Sequence, residues 1–190
     1  MTYTRRANAR AGDFVTRSED GRLFIDGYFA VFNSQYWLFE DGFETIDEGA
    51  FDLANDTDVR ALTNHDTTLV LGRTTAGTLT LGVDSRGLYG TIEINPNDQD
   101  AVNLYERVRR GDVTQCSFGF DVLEEAIERS DNAPTVWHIK RVKLWEVSVV
   151  TFPAYEDTGV TARKKELEEM DRRKAEEWRL AMLTKLKGEK

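Results

Sequence analysis

Short apolar runs of period two, broken every few residues by glycine or aspartate, limit what this chain can fold into. In GRLFIDGYFAVFN (21–33), Leu23, Ile25, Phe29 and Val31 share one parity, and Phe24, Tyr28, Ala30 and Phe32 share the other. Such a segment predicts a strand covered on both faces. Gly27 in its middle predicts a bulge or a close backbone approach. YWLFEDGFETI (36–46) reads as strand, turn at Asp41-Gly42, and strand. VRALTNH predicts a strand ending at His65, and VLGRT, GTLTLGV, LYGTIEI and VTQCSFGFDVL predict four more. TVWHIKRVKLWEVSVVTF (135–152) predicts two, split near Lys143. DEGAFDLAN predicts a short helix near 48–54. In NDQDAVNLYERVRRGD, cap-type residues precede Ala101, Val102, Leu104, Tyr105 and Val108 at helical spacing, and Gly111 follows. Many short strands with one convincing internal helix predict an α+β, mainly β fold: a small closed or partly open β-barrel flanked by helices.

The two ends differ from this middle. Residues 1–20 are polar and aperiodic and read as a flexible arm, with a strand near Phe14-Val15. After Thr158 the chain is dense in Lys, Arg and Glu and has no proline. Leu167, Met170, Trp178, Ala181, Met182 and Leu186 recur at nearly helical steps. They predict an amphipathic helix of about 25 residues, or about 38 Å. Such a helix serves either as a plain surface element or in partner binding and self-association. The expected organisation is a folded domain over 1–158 and a charged helical tail over 159–190.

Composition narrows the function classes. Lys and Arg number 25 against 34 Asp and Glu, a formal charge of −9. That balance opposes non-specific nucleic-acid binding, which needs a basic face. One cysteine, Cys116, precludes an internal disulfide and any cysteine-based metal motif. It makes a reducing compartment the simplest setting. No apolar run approaches the roughly 20 residues of a membrane span. MTYTRRANARAGDF lacks the apolar stretch of a secretory signal, so a cytosolic protein is expected.

Histidine is scarce, with only His65 and His138, so the search for a base that titrates near neutrality is short. His65 sits in LTNHDTTLVLGR at a strand end beside a polar turn, a place where catalytic groups are often supported. Taken by position alone, a histidine there is more often an idle loop residue. Asp66 reads as a turn residue. Ser117 sits in TQCSFGFDV, on the parity of Gly119 and Asp121 and opposite Cys116, Phe118, Phe120 and Val122. The neighbouring glycine would leave room for a substrate backbone. A serine there becomes a nucleophile only with a histidine within about 3 Å, and is otherwise an ordinary solvent-facing strand serine. Cys116, on the opposite parity among aromatics, reads as inert packing. Glu146, between Trp145 and Val147, needs a partner if buried. That partner is either a histidine or a cation such as Arg141 or Lys143. His138, in TVWHIKRV, competes as the third member or lies on a solvent face.

Taken in order, the HD turn followed by LGR, the helix ending in RRGD, then CSFGF, then LWEVSVVTFPA resemble the prohead proteases of tailed phages. GAF at 49–51 and RGLYGTIEI match as well, so the resemblance covers roughly residues 20–158. It implies a serine endopeptidase with a fold akin to herpesvirus assemblins. It implies His65, Ser117 and Glu146 as catalytic residues; assemblins use a second histidine as third member, which keeps His138 in contention. It further implies action inside the immature capsid in the host cytoplasm, self-cleavage, and cleavage of scaffold and of a scaffolding segment of the major capsid protein. A homodimer is possible, as in assemblin relatives. The tail after residue 158 resembles those by which such enzymes enter the shell or which they clip off.

The implied chemistry is acyl transfer: Ser117 attacks a peptide carbonyl, His65 takes its proton, and Glu146 orients His65. Backbone N–H groups must hold the oxyanion. The segment after Glu146 and a glycine-bearing turn at Leu71-Gly72 are candidates. No metal or organic cofactor is required, and no nucleic acid or membrane is expected as a partner. Two alternatives stand beside this reading: an inactive scaffolding protein that keeps a protease-like barrel, and an esterase using the same serine and histidine.

Overall fold

The computed structural model describes the backbone of residues 5–9, 14–130, 132–152 and 157–188, and side chains within 14–130, 132–152 and 163–185. It divides into two compact units, Met1–Tyr155 and Glu156–Lys190. The strands are β1 (Arg5–Ala9), β2 (Val15–Glu19), β3 (Arg22–Val31), β4 (Tyr36–Phe39), β5 (Gly42–Ile46), β6 (Arg60–Thr63), β7 (Asp66–Arg73), β8 (Leu79–Val83), β9 (Gly87–Ile94), β10 (Gln115–Ser130) and β11 (Ala133–Val150). The helices are α1 (Gln99–Arg110) and α2 (Asp157–Gly188). The protein is mainly β, with a helix at the end of the chain.

Two sheets form. One runs β2-β3-β9-β8, and the other runs β1-β10-β11-β5-β4, with β6 and then β7 added at the side of β11. Among the described residues the ladders form two separate sheets that are not closed into a barrel. β11 organises the larger sheet. Its first half, Thr135–Ile139, pairs in parallel with β5, and its second half, Glu146–Val149, pairs in parallel with β6. β10 runs antiparallel along its other side.

β3 is buried on both parities, as the apolar side chains on both of its faces require. Gly27 there allows a close approach: a Cβ would lie 2.4 Å from the ring of Phe14. Phe118 and Phe120 from β10 stack at 4.8 Å between centroids, and Phe51 meets Phe118 edge-on at 5.6 Å. Fully burying one such ring contributes about 1.5–3 kcal/mol. α1 starts at Asp98, whose Oδ1 accepts from the N–H groups of Asp100 and Ala101, and stops at Gly111, where φ is +87°. It buries Ala101, Leu104, Tyr105 and Val108.

Four expectations are corrected. No helix forms at 48–54; the segment is a set of turns that buries Ala50 and Phe51, and Val142 donates to the carbonyl of Ala50. Edge pairing with β11 and the left-handed Gly49 (φ +87°) outcompete a helix this short. β11 is one strand of 18 residues: Gly119 stands opposite Glu146 and Phe120 opposite Leu144, so Trp145 is an extra residue in a bulge, not part of a break. The arm over residues 1–20 contributes, beside the expected strand near Phe14-Val15 (β2, pairing β3), a second strand, β1, which pairs β10; residues 1–4 and 10–13 of that arm lie outside the described residues. Leu71 and Gly72 lie inside β7 rather than in a turn, and a Cβ on Gly72 would meet the carbonyl of Thr78 at 2.7 Å.

The second unit is built on α2, whose 32 residues exceed the expected length and span about 48 Å. Ion pairs Arg163–Glu166 (2.9 Å) and Arg173–Glu169 (3.8 Å) follow its turns. Trp178, Leu180, Met182 and Leu183 are exposed. Among the described residues no helix is long and apolar enough to cross a membrane.

Candidate active site

β6 and β7 form a hairpin in which Thr63 faces Asp66, leaving Asn64 and His65 as a two-residue loop. Both have positive φ, +50° and +59°, the requirement of a hairpin turn that follows the natural strand twist. Asparagine tolerates this region and histidine does so at some cost, so tertiary contacts must hold the turn. They come from the end of β11. Asn64 N–H donates to the carbonyl of Val149 at 3.0 Å, and Thr151 N–H donates to Asn64 Oδ1 at 2.8 Å. His65 N–H donates to Ser148 Oγ at 3.2 Å. Asp66 is the first residue of β7 rather than a turn residue, and its Oδ1 accepts from Thr68 Oγ1–H and N–H, which hold its carboxyl below the usual range.

The turn delivers the imidazole of His65 to Glu146, with Nδ1 2.6 Å from Oε1. The side chains are 4% and 13% exposed, so this contact is shielded from water. A carboxylate can only accept, so Nδ1 carries the proton and the lone pair of the neutral ring is on Nε2. Nε2 is buried and makes no hydrogen bond among the described residues. The other oxygen of Glu146, Oε2, accepts from Ser148 Oγ–H at 2.6 Å. Ser148 therefore clamps both members, taking the backbone N–H of His65 and giving its proton to Glu146. The cations named as partners for Glu146 are engaged elsewhere: Lys143 with Asp56 at 2.8 Å, and Arg141 with Glu124 at 3.8 Å.

Ser117 reaches this site through strand register. On β10 and β11, Ser117 stands opposite Ser148, and Gly119 opposite Glu146. Residues directly opposite share a face, with Cβ atoms about 5 Å apart. Ser117, Gly119, Glu146 and Ser148 thus lie on one face of the sheet, under the turn that carries His65. Ser117 is fully buried, not solvent-facing as its parity predicts. The hydrogen bond from its hydroxyl to Nε2 of His65 is not formed in this structure. A Cβ on Gly119 would lie 2.5 Å from Glu146 Oε1, so the glycine makes room for the carboxylate that holds His65.

The remaining candidates separate from this cluster. Cys116 faces the core, with Sγ 3.0 Å from the carbonyl oxygen of Tyr28. His138 lies eight residues from Glu146 along β11, or about 26 Å of extended strand. Its Nδ1 is 3.1 Å from Asp47 Oδ1 and its Nε2 is 3.4 Å from Glu128 Oε2. Among the described residues no group of three His, Cys, Asp or Glu side chains is placed to hold a metal. Reasoning from sequence overlooked Ser148 and Asn64. The spacing Glu146-x-Ser148 was a usable signal, since residues two apart on a strand share a face; nothing local marked Asn64.

The family model described as caudovirus prohead serine protease matches residues 12–173. The prohead protease of Enterobacteria phage HK97 is 35% identical over 151 residues, covering 76% of this chain and 62% of that protein. The chain thus spans under two thirds of that relative's length. The capsid assembly protease of bacteriophage T4 aligns with a TM-score of 0.44 and 14% identity, covering 79% of this chain and 96% of that one.

Proposed function

The chain belongs to the caudovirus prohead serine protease family, and on that premise we propose that it is a serine endopeptidase of capsid maturation with Ser117, His65 and Glu146 as its catalytic triad. The observation that carries the reading is the buried contact between His65 Nδ1 and Glu146 Oε1, on the sheet face that also holds Ser117. It leaves Nε2 as the basic nitrogen, the tautomer that serine activation needs.

Ser117 Oγ attacks the carbonyl carbon of the scissile peptide as its proton passes to His65 Nε2. Glu146 keeps Nδ1 protonated and balances the imidazolium that forms. When the tetrahedral intermediate collapses, Nε2 returns the proton to the leaving amine, and water then releases the acyl group by the same route. Ser148 is excluded as nucleophile by its own bonds, since its proton is held by a carboxylate and not by an imidazole. Glu146, not His138, is the third member: His138 has carboxylates at both nitrogens and lies far along β11. The chemistry needs no metal. The substrates are the protein itself, scaffold, and the scaffolding segment of the major capsid protein, met inside the prohead.

The deciding experiment is Ser117→Ala in assembling proheads, read by intact mass of the capsid protein. A folded variant that leaves capsid protein uncut is expected; continued processing would end the assignment.

A further inference from the structure

Ser117 lies in a strand with one neighbour on each side. On one side is β11, whose pairing with β10 carries the core and the Glu146–Ser148 clamp. On the other side is β1, antiparallel over Arg5–Ala9 against Cys116–Phe120, with Asn8 opposite Ser117. β1 is the outermost strand of its sheet path. Its sequence, Arg-Arg-Ala-Asn-Ala, contains no large apolar residue, and its ladder to β10 is five residues long. With β1 in place Ser117 has no exposed surface.

We propose that the β10 edge now taken by β1 is the docking edge for substrate, which binds there as an added antiparallel strand of extended polypeptide, and that β1 is a built-in competitor that must leave first. This rests on the proteolytic reading above. A chain running beside β10 brings a peptide unit next to Ser117, and the other side of β10 is paired with β11. Strand addition supplies main-chain hydrogen bonds irrespective of sequence and sets a backbone unit beside the residue it faces, as β1 now does with Asn8. Access is therefore governed by exchange between an internal and an external strand, with apparent affinity lowered by the fraction of time the edge is open.

The test uses the full chain and a full-length variant, Ala7→Pro/Asn8→Pro. In an antiparallel ladder one of two adjacent residues directs its N–H at the partner strand, so the pair of prolines breaks the pairing whichever it is. The probe is a fluorescent peptide with the sequence of residues 4–11, TRRANARA. The variant is expected to bind it at least about tenfold more tightly than wild type, the factor for an edge open one time in ten. Bound peptide is also expected to restore hydrogen-exchange protection to the amides of Cys116–Phe120. Equal affinity for both chains, or binding that leaves those amides unprotected, would overturn the proposal. In wild type, where no substitution threatens folding, saturating peptide should strip protection from Arg5–Ala9; unchanged protection there would also overturn it. In cleavage, the variant should show a lower KM with kcat retained. If neither chain cleaves, the proteolytic reading fails while the binding measurements still decide the docking edge.

Discussion

The two halves of β11 each meet a histidine beside carboxylates, and the contrast is between a shielded pair with one ring nitrogen unpartnered among the described residues and a surface pair. At the His65 end one carboxylate, Glu146, meets one nitrogen at 2.6 Å, and the side chains are 4% and 13% exposed. The second nitrogen is buried and makes no hydrogen bond. At the His138 end Asp47 and Glu128 face both nitrogens, and His138 and Glu128 are 30% and 75% exposed. A histidine between two carboxylates has an acceptor facing each ring nitrogen. A histidine held by one has a nitrogen left for proton transfer. The environment, not the residue type, divides the two roles.

The comparison can be broken most sharply at its acids. Glu146→Gln should keep the shape but lose the tautomer control, lowering kcat by about 10³–10⁴-fold. His138→Ala should change kcat by less than about twofold, because it removes only an exposed pair. Steady-state cleavage of capsid protein or a peptide from it checks both, and the reverse ranking would make His138 the third member.

Two substitutions sharpen what holds the His65 end together. Gly119→Ala puts a methyl 2.5 Å from Glu146 Oε1 and should push the carboxylate off His65. We expect kcat to fall by about 10²-fold, as for other small misplacements, with the melting temperature reduced. Ser148→Ala removes the hydroxyl that bonds both His65 N–H and Glu146 Oε2. Leaving those buried groups unpaired should cost about 1–3 kcal/mol in denaturant unfolding. A loss of under about 0.5 kcal/mol would deny Ser148 its clamping role.

The smallest effect concerns the far end of the His65 hairpin. Asp58 receives bonds from Arg73 at 2.6 and 2.8 Å, and with help from Arg60 its carboxyl is held down to about 2 from an ordinary 3.8. A depressed carboxyl stabilises the fold fully above its unfolded pKa and loses that contribution as pH falls towards the folded one. Asp58→Asn should therefore destabilise slightly at neutral pH. The difference from wild type should vanish as pH falls from about 4 to about 2, and thermal melts across that range will show it.

Much of this arrangement was legible before any coordinates. The alternation in 21–33, the cap at Asp98 and the stop at Gly111 each act within a few residues, and the corresponding elements formed. The parity of Cys116 against Ser117 also held, since strand periodicity is a local property. What failed depended on distant partners. The 48–54 segment has helix-compatible residues but is claimed by β11. The run over 135–152 continues through Lys143 because two different strands, β5 and β6, pair along one side of it. The polar residues 5–9 gave no strand signal, and their pairing with β10 comes from the edge they complete.

Histidine scarcity, the setting of Glu146 and the small residues around Ser117 mark these residues as candidates from the amino-acid order alone. Which of them share a face is decided by register: the β10–β11 ladder sets Ser117 beside Ser148 and Gly119 beside Glu146, while the parallel β6 strand leads into the turn that brings His65 to Glu146. The same folding placed Asn8 beside Ser117, more than a hundred residues away in the chain. Composition determines which groups have suitable chemistry. Hydrogen-bond pairing between strands remote in sequence determines which of them touch, because a shift of one residue would send every side chain to the opposite face.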